Sequence, residues 1–479
     1  NRFAPTFKRF THKLKLLSTA ALVLASTQVA GPGLLQKTTH QKNKSTYHWK
    51  TNYTISNYCV LFNIGKYKVV KDSYTTINGN VVPVEFYVLE EDTMHAKKLI
   101  ATKIRDTKIL EKYFGEYPWY KEKIGTAEVP NSGMEHQTMT TLGFFSGTLV
   151  VHELGHQWFG DYVTCDNWGD IWLNEGFASY VEQLFVNKFY TPAIAFNYRT
   201  AVHNRVMQQA GGTVFCNDTT DENRIYDSRL TYDKGAAVLH MLRYFAPKDS
   251  LFFAGIKNYL SAHAFSTATT GDLKAALSTA YQKNLDTFFN QWVYGEGYPT
   301  YSAEWNQQIN GSNYDFVIKL NQTTSMPSSV SAFNLPLPVL LRSPQGDTML
   351  YLPFNTATAT YNWPTNTFTK TISSVEIDPS NWIVNKTGPI IKNTALAISN
   401  PVNQILQVVP NPTKDFWQLS HVTVGTSLQL TDMNGKLLWN EIATSEEMQI
   451  PAKNLVPGIY VLTVRAANAS QQSIQIVKE

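Results

Sequence analysis

The spacing of hydrophobic positions changes twice along the chain. From Thr46 to Val70 and from Val81 to Leu89 apolar and polar residues alternate, which predicts short β-strands. The middle of the chain has the apolar spacing of amphipathic helices. These predicted helices cover Lys103 to Lys123, Gly147 to Asp161, Leu173 to Phe185, Tyr232 to Phe245, Leu251 to Ser261 and Thr270 to Phe289. The helical pattern stops near Gly295 to Pro299, where glycine and proline interrupt it.

The last third of the chain returns to a strand pattern. After Tyr301, short apolar runs such as Phe316 to Leu320 and Thr348 to Leu352 alternate with turn residues, which predicts a β-sandwich. A spacer near Lys392 to Asn400 leads to another strand-rich block. In that block Met433 to Lys436 contains Asn-Gly, a pair that accepts the positive φ of a type I′ hairpin turn.

Composition limits the classes that need consideration. The chain has 479 residues, of which 43% are hydrophobic and 16% charged, and this excludes an intrinsically disordered protein. At roughly 150 residues per domain the length predicts about three domains. Forty-one basic residues against thirty-seven acidic ones give a net charge of +4, which is too small and too scattered to favour nucleic acid as a partner.

The N-terminal segment resembles a secretory signal. Basic residues from Lys8 to Lys15 precede the apolar run Leu16 to Ala25, which ends in small residues. The alternative is an irregular strand of a folded domain. The run is too short to cross a bilayer, and no other stretch reaches about 18 uninterrupted apolar residues, so no transmembrane helix is predicted.

A possible metal site lies in the predicted helices. In His152-Glu153-Leu154-Gly155-His156 the two imidazoles are four residues apart and share one helix face, with Glu153 beside them. Glu175, at the start of the next predicted helix, would complete the three-ligand set of a catalytic zinc. Taken separately, the histidines are also compatible with a surface pair, and Glu175 with an acid favoured by the helix dipole.

Several motifs around this site occur together and in a fixed order. They are Gly133 to His136 (GMEH), His152 to Asp161 (HELGHQWFGD), Trp172 to Phe177 (WLNEGF), Thr231 to Ala236 (TYDKGA) and Phe289 to Pro299. In this combination the chain resembles the aminopeptidase N and leukotriene hydrolase family of gluzincin zinc metallopeptidases. The resemblance covers roughly residues 76 to 300.

The resemblance implies a role for each matching residue. One Zn²⁺ per chain would be held by His152, His156 and Glu175, with Glu153 as the general base. Tyr232 would donate a hydrogen bond to the oxyanion, and Glu135 would bind the free α-ammonium of a peptide. Gly133 and Met134 would lie along the substrate. Two departures from the family motif, Ser132 and His136, leave the substrate preference open.

The domain organisation expected from these features is multidomain α+β. Residues 1–75 would hold the signal-like segment and a truncated N-terminal β-saddle domain without the family's second amine anchor. Residues 76–300 would form a thermolysin-like, mainly helical catalytic domain, followed by a β-sandwich over 301–392. The block 393–479 would be a second β-sandwich. The short N-terminal part also allows a second interpretation, a zinc-binding but catalytically impaired fragment.

Three cysteines are present, and none of them forms a CxxC pair. Because Cys165 and Cys216 flank the expected site, a disulfide between them is predicted in an oxidising compartment. Two buried free thiols are the alternative. Cys59 would then be unpaired.

The last 75 or so residues resemble a second known module. Val409 to Thr413, Leu428 to Lys436 and Leu455 to Leu462 resemble a type IX secretion sorting domain. Such a domain implies a partner in the secretion machinery and export across the outer membrane of a Bacteroidota-type bacterium, followed by release or surface attachment. A carbohydrate-binding or adhesive β-sandwich is the alternative.

Together these features predict a secreted zinc aminopeptidase that acts on peptides with a free N-terminus. An endopeptidase or an epoxide hydrolase would use the same zinc chemistry. Glu135 argues against an endopeptidase, because an amine anchor excludes extension of the chain beyond its first residue.

Overall fold

The computed structural model describes residues 27–479, apart from residues 43, 131–132, 144–146, 397–406, 421, 423, 434–435 and 466–470. The signal-like segment from Lys8 to Ala25, Ser132 and the Asn-Gly pair at 434–435 lie outside the described residues. The chain divides into two compact units. The first contains the described parts of 1–305, 318–361 and 370–394, and the second those of 306–317, 362–369 and 395–479.

Strands form the beginning of the first unit. They are β1 (Gln28–Ala30), β2 (Leu34–Gln41), β3 (Lys44–Lys50), β4 (Asn63–Gly65), β5 (Lys68–Thr75), β6 (Val81–Val88), β7 (Ile124–Glu128), β8 (Gly133–Met134) and β9 (Thr140–Leu142). The pairs β1–β4 and β2–β3 are antiparallel, and the other strands form a mixed sheet of order β5-β6-β7-β9-β8. Strand β8 therefore lies at the edge of this sheet, antiparallel to β9.

Helices follow and build most of the remaining first unit. They are α1 (Thr93–Phe114), α2 (Gly147–Gly155), α3 (Trp172–Phe189), α4 (Pro192–Val206), α5 (Glu222–Ile225), α6 (Gly235–Phe245), α7 (Asp249–Ala262), α8 (Thr270–Tyr281) and α9 (Asp286–Trp292). A π-helical segment, Ser228–Lys234, leads directly into α6. The short strands β10 (Val163–Cys165) and β11 (Ser266–Ala268) pair in parallel between the helices.

The helix predictions agree with the structure in position more than in length. Helix α1 begins ten residues before the predicted Lys103 and ends at Phe114, well before the predicted Lys123, because Gly115 has a φ of 99° that no longer fits a helix. The single helix predicted from Thr270 to Phe289 is two helices, because Gln282 adopts a left-handed conformation that ends α8. Helix α4 was not predicted from the sequence.

Helices α3 and α6 approach each other unusually closely where two glycines meet. A Cβ at Gly176 would lie 3.0 Å from the Cα of Gly235 and 3.3 Å from the carbonyl oxygen of Thr231. Only residues without a side chain allow backbones this close. The contact places Glu175, one residue before Gly176, beside the π-helical segment that carries Tyr232.

The chain after Tyr298 is rich in strands. They are β12 (Pro299–Asn310), β13 (Asn313–Thr324), β14 (Leu335–Arg342), β15 (Thr348–Phe354), β16 (Thr358–Phe368), β17 (Ser374–Ile377), β18 (Lys386–Lys392), β19 (Gln407–Val409), β20 (Phe416–Ser420), β21 (Ser427–Asp432), β22 (Leu437–Ile442), β23 (Glu447–Pro451), β24 (Gly458–Arg465) and β25 (Gln471–Lys478). They form sheets of order β16-β13-β12-β18, β15-β14-β17, β19-β20-β23 and β22-β21-β24-β25.

The last two sheets share one hydrophobic core within the second unit. Strands from both sheets contribute fully buried side chains, among them Trp417 and Leu419 from one and Leu430 and Leu462 from the other. Two sheets around one core form a sandwich. The molecule thus combines helical and β-rich parts, as the sequence predicts, and the boundaries 1–75, 76–300, 301–392 and 393–479 stay a prediction. Within the described part of the chain, no helix has both the length and the apolar character that a membrane crossing requires.

The Gly176–Gly235 contact gives a testable prediction for stability. Gly176→Ala forces a Cβ against the backbone of α6, so we expect a loss of about 1–3 kcal/mol of stability, the usual cost of overpacking. Gly271→Ala is the matched control, because this exposed glycine of α8 has room for a Cβ and alanine favours the helix. Calorimetry should show a lower Tm for the first variant alone. Equal Tm values for both variants would contradict the tight contact.

Candidate metal centre and substrate cleft

Two helices bring the predicted metal ligands together. His152 lies in the last turn of α2, which ends at Gly155. The N–H of His156 still donates to the carbonyl oxygen of His152 at 3.2 Å, so the helical path continues far enough to keep both imidazoles on one face. Glu175 lies in the first turn of α3.

The three candidate ligand atoms form a small triangle. His152 Nε2 and His156 Nε2 lie 3.2 Å apart, and Glu175 Oε2 lies 3.6 Å from the first and 3.3 Å from the second. Ligands about 2.0–2.1 Å from a tetrahedrally coordinated metal are about 3.3 Å from one another. The described residues therefore offer a His, His, Glu donor set at the spacing of a single metal ion.

Outer contacts fix the direction of both imidazoles. His152 Nδ1 donates to Glu182 Oε1 at 2.8 Å, and His156 Nδ1 donates to the carbonyl oxygen of Phe159 at 2.9 Å. Because each Nδ1 faces a group that only accepts, each Nε2 is left as the atom that can bind a metal. Tyr198 extends the network, since its hydroxyl donates to Glu182 Oε2 at 3.2 Å.

The electric field in this region favours positive charge. Burial opposes the charged form of His152, but hydrogen bonds to Glu175 and Glu182 outweigh it and raise its pKa to about 9. Burial would also raise the pKa of Glu175, yet His156 and His152 lower it to about 2. The surroundings of these groups therefore suit a bound cation, which agrees with the donor set.

Glu153 is placed beside the triangle but is not part of it. Its carboxylate is buried, and this burial raises its pKa to about 7. Its buried Oε2 has no hydrogen-bond partner among the described residues, and Glu153 is among the residues that line the cleft. Gly133 of β8 lies against the same carboxylate, because a Cβ at Gly133 would collide with Glu153 Oε1 and come within 2.8 Å of Leu149.

The remaining predicted residues converge on the same place. Glu135 is buried, and one of its carboxylate oxygens lies within 4.8 Å of ligand atoms of both Glu153 and His156. The ring of Tyr232 stacks on that of His152 with 6.1 Å between centroids. Burial and the nearby Glu175 and Glu135 raise the pKa of Tyr232, so its hydroxyl stays protonated and can donate.

These side chains line one cavity of about 670 Å³. Its volume is in the range of small-molecule binding sites. The lining residues are Tyr58, Gly133, Met134, Glu135, Thr148, Leu149, His152, Glu153, His156, Cys165, Trp168, Ile171, Asn174, Glu175, Glu182, Tyr226 and Tyr232.

Gln157 is a residue that the sequence analysis did not single out. Its amide nitrogen donates to the carbonyl oxygen of Glu135 at 2.8 Å and to Asp161 Oδ2 at 2.7 Å. Its amide oxygen accepts from the N–H of Thr138 at 3.1 Å and from the hydroxyl of Tyr117 at 3.3 Å. The buried side chain thereby ties the turn that carries Glu135 to the end of α2. No sequence signal beyond its place next to His156 points to this role.

Glu182 and Tyr58 were also missed. Glu182 follows Glu175 by seven residues, and this two-turn spacing on one helix face was the signal that could have revealed it. Tyr58 comes from the short turn Asn57–Cys59, far from the motifs in sequence, and nothing in its local pattern indicates the cleft. His136, the departure from the family motif, is buried with Nδ1 3.2 Å from Thr141 Oγ1.

The predicted disulfide between Cys165 and Cys216 is wrong, because both residues are buried free thiols. They share a hydrophobic cluster with Ile171 and Ile225, and the thiol of Cys216 donates to the carbonyl oxygen of Asp218 at 3.2 Å. A disulfide would need the two sulfurs about 2.05 Å apart. Cys59 is also free, and its thiol donates to Asp161 Oδ1 at 3.1 Å.

Comparison with known proteins agrees with this geometry. Residues 146–292, which include the ligand triangle, Glu153 and Tyr232, match the model of the peptidase family M1 domain. The chain contains a peptidase family M1 domain. This family consists of metallopeptidases, which accords with the His, His, Glu cluster. Residues 407–479 match a secretion system C-terminal sorting domain, which confirms the predicted sorting module.

Individual relatives extend the likeness beyond the M1 domain. The chain is 35% identical to aminopeptidase N of Lactococcus lactis over 164 residues, which are 33% of this chain and 19% of the relative. It is 28% identical to glutamyl aminopeptidase of Bos taurus over 310 residues, or 60% of this chain and 32% of the relative. The chain thus spans less than half the length of these curated relatives.

A solved structure shows the same fold. Aminopeptidase A of Legionella pneumophila, crystallised in complex with aspartic acid, superposes with a TM-score of 0.64 at 16% identity. The superposition covers 75% of this chain and 43% of that one. The part of this chain that the superposition covers therefore has the fold of a solved aminopeptidase.

The outer contact to His152 gives a prediction for metal binding. Glu182→Ala removes the acceptor that orients His152, so the affinity for Zn²⁺ should fall by about 10- to 100-fold, as is usual for such partners. Tyr198→Phe should have a smaller effect, because the hydroxyl of Tyr198 donates to Glu182 and acts on His152 only through it. Competition with a chromogenic chelator measures both, with the exposed Lys188→Ala on the same helix as control. Unchanged affinity in Glu182→Ala would refute the positioning role.

Proposed function

We propose that the chain is a secreted, zinc-dependent aminopeptidase that hydrolyses the N-terminal peptide bond of peptides. One observation carries this proposal. Within one cleft, the triangle of His152, His156 and Glu175 lies beside two further buried carboxylates, Glu153 and Glu135, which are near each other. An aminopeptidase needs a metal, a base and an anchor for the substrate's ammonium, and this cleft has a group for each.

Zinc is the metal that the donors suit best. Two imidazoles and one carboxylate are a typical set for catalytic zinc, which keeps its fourth position open. When bound, one zinc ion per chain would act as a Lewis acid that polarises the scissile carbonyl and makes water more acidic.

Glu153 is the general base in this proposal. The carboxylate of Glu153, which lines the cavity, can take a proton from the attacking water and pass it to the leaving amine. Because Gly133 has no side chain, the substrate backbone can come close to this carboxylate.

Tyr232 and Glu135 act on the two ends of the reacting bond. The protonated hydroxyl of Tyr232 donates a hydrogen bond to the oxygen on which negative charge develops. The buried carboxylate of Glu135 pairs with the α-ammonium of the first residue, and this charge-assisted contact fixes the chain end. A free N-terminus therefore becomes part of what the cleft recognises.

The edge strand β8 supports binding of an extended peptide. Strand β8 pairs with β9 on one side and carries Gly133 and Met134, both of which line the cavity. An edge strand can add a further strand through backbone hydrogen bonds, a common mode of peptide recognition. The substrate main chain would lie along Gly133 and Met134.

The names of the relatives leave the first residue of the substrate open. They include a glutamyl aminopeptidase and an aminopeptidase A bound to aspartic acid, so by likeness alone acidic first residues are allowed.

The C-terminal module supports export. Because residues 407–479 match a secretion sorting domain, we infer that the protein acts outside the cell or at its surface and meets the secretion machinery through this domain. Peptides with a free N-terminus are its substrates there.

Replacement of the proposed base separates chemistry from metal binding. Glu153→Gln keeps the shape of the side chain and leaves the ligand triangle intact, so the variant should hold zinc as the wild type does. Loss of the base should lower kcat by about 10²- to 10⁴-fold on a leucine anilide. Metal analysis and steady-state kinetics on the same preparation test both statements. A variant as active as the wild type would disprove this role for Glu153.

The proposed anchor is tested by blocking the substrate's amine. The zinc-loaded wild type should cleave leucine p-nitroanilide and leave the N-acetylated form intact, because acetylation removes the charge that Glu135 binds. Glu135→Gln should chiefly raise KM for the free substrate and narrow the difference between the two forms. Metal-free protein is the control. Equal cleavage of both forms by the wild type would exclude an aminopeptidase.

A further inference from the structure

The chain around the cleft has an unusual distribution of charge. From Ile124 to Asn187 the sequence contains no Lys and no Arg in 64 residues. At the average frequency of the chain, 41 in 479, a stretch of that length would hold about five. The same stretch contains the acids Glu128, Glu135, Glu153, Asp161, Asp166, Asp170, Glu175 and Glu182.

The cleft is built almost entirely from this stretch. All of its described lining residues come from it except three tyrosines, Tyr58, Tyr226 and Tyr232. Four carboxylates face the cavity, those of Glu135, Glu153, Glu175 and Glu182. Among the described lining residues there is no Lys or Arg, so a negatively charged side chain of a substrate meets no fixed cation there.

Basic side chains that lie outside the cavity lining do not supply the positive charge that the lining lacks. Lys103 of α1 interacts electrostatically with Glu153, but its ammonium is buried and does not line the cavity. Arg205 lies near Glu182, but its guanidinium is held by Asp233 through two hydrogen bonds of 2.7 Å. Neither side chain is placed to pair with a substrate carboxylate.

We propose that this cleft takes peptides whose first side chain is uncharged or cationic and rejects those that begin with Asp or Glu. The inference rests on the proposed aminopeptidase function and names its substrate class. The names of the relatives alone would allow acidic first residues, which this proposal excludes.

The charge balance of a loaded cleft explains the rejection. A bound divalent ion would already be paired with Glu175 and the substrate's ammonium with Glu135, and no Lys or Arg is among the described lining residues, so no positive charge is left for an acidic side chain. An acidic first side chain would add a further like charge without a partner, and like charges placed together in a site cost several kcal/mol. We therefore expect discrimination on the order of 100-fold in kcat/KM, since each 1.4 kcal/mol is tenfold.

The test uses pairs of substrates that differ in charge and hardly in shape. The zinc-loaded full chain is assayed on the p-nitroanilides of glutamine and glutamate, and on those of asparagine and aspartate, with the leucine and arginine anilides for reference. The inference predicts cleavage of the neutral and cationic substrates and a kcat/KM at least about 100-fold lower for each acid than for its amide. Equal values within either pair would overturn it and leave the aminopeptidase function intact.

A binding measurement keeps the inference testable if no anilide is cleaved. That result would count against the proposed function, and calorimetry with the α-hydroxamates of glutamine and glutamate would then be decisive for the charge preference. Tighter binding of the glutamine compound supports the inference without any turnover. Equal binding, or tighter binding of the glutamate compound, overturns it.

A pair of variants tests whether charge causes the preference for neutral over acidic first residues. Thr148 lines the cavity one helical turn before His152, and Thr148→Lys would place a cation there. Thr148→Met adds similar length without charge and is the matched control. The lysine variant should narrow the glutamine-to-glutamate ratio by about tenfold, and the methionine variant should leave the ratio unchanged. If both variants change the ratio equally, shape and not charge sets the preference.

Discussion

The central constraint on this molecule is the burial of three carboxylates and one imidazole around one cavity, with the partly buried Glu182 and His152 beside them. Glu135, Glu153 and Glu175 are each less than 8% exposed, and His156 is 2% exposed. Like charges in such a site repel, and a buried charge without a partner is costly. The triangle of His152, His156 and Glu175 concentrates donors where a divalent cation would offset much of this repulsion. The structure around the cavity holds these charged side chains in position.

Several local features hold the charged groups in place. The glycine contact between α3 and α6 lets Glu175 and Tyr232 approach the same point from different helices. The amide of Gln157 uses both of its ends to fix the turn behind Glu135. Strand β8 closes the cleft at the edge of the mixed sheet. Each feature is local, and together they set the positions that chemistry at the cleft requires.

The sequence predicts much of this arrangement because strong short-range rules apply to it. The four-residue spacing of His152 and His156 places both on one helix face, and the second motif supplies Glu175, so the candidate donor set follows from the motifs. Helix ends are harder to predict, as α1 and the division between α8 and α9 demonstrate, because they depend on single residues such as Gly115 and Gln282.

Long-range contacts explain what the sequence did not reveal. Tyr58 reaches the cleft from a turn almost a hundred residues before His152, and the partners of Gln157 lie on separate elements. The disulfide failed as a prediction because two cysteines in one cluster can pack as thiols, and the thiol of Cys216 instead faces the carbonyl of Asp218. The partners of these side chains depend on tertiary packing, which the hydrophobic periodicity of the sequence does not encode.

The most direct test of the account is zinc binding measured together with stability. Calorimetric titration of metal-free protein should find one Zn²⁺ per chain, and thermal unfolding should shift to higher temperature when it binds, since a ligand of the folded state stabilises that state. A variant with His156→Ala should lose the binding and the shift. A wild-type chain that binds no zinc, or whose Tm is the same with and without it, would contradict the proposal that the cleft is built around a metal ion.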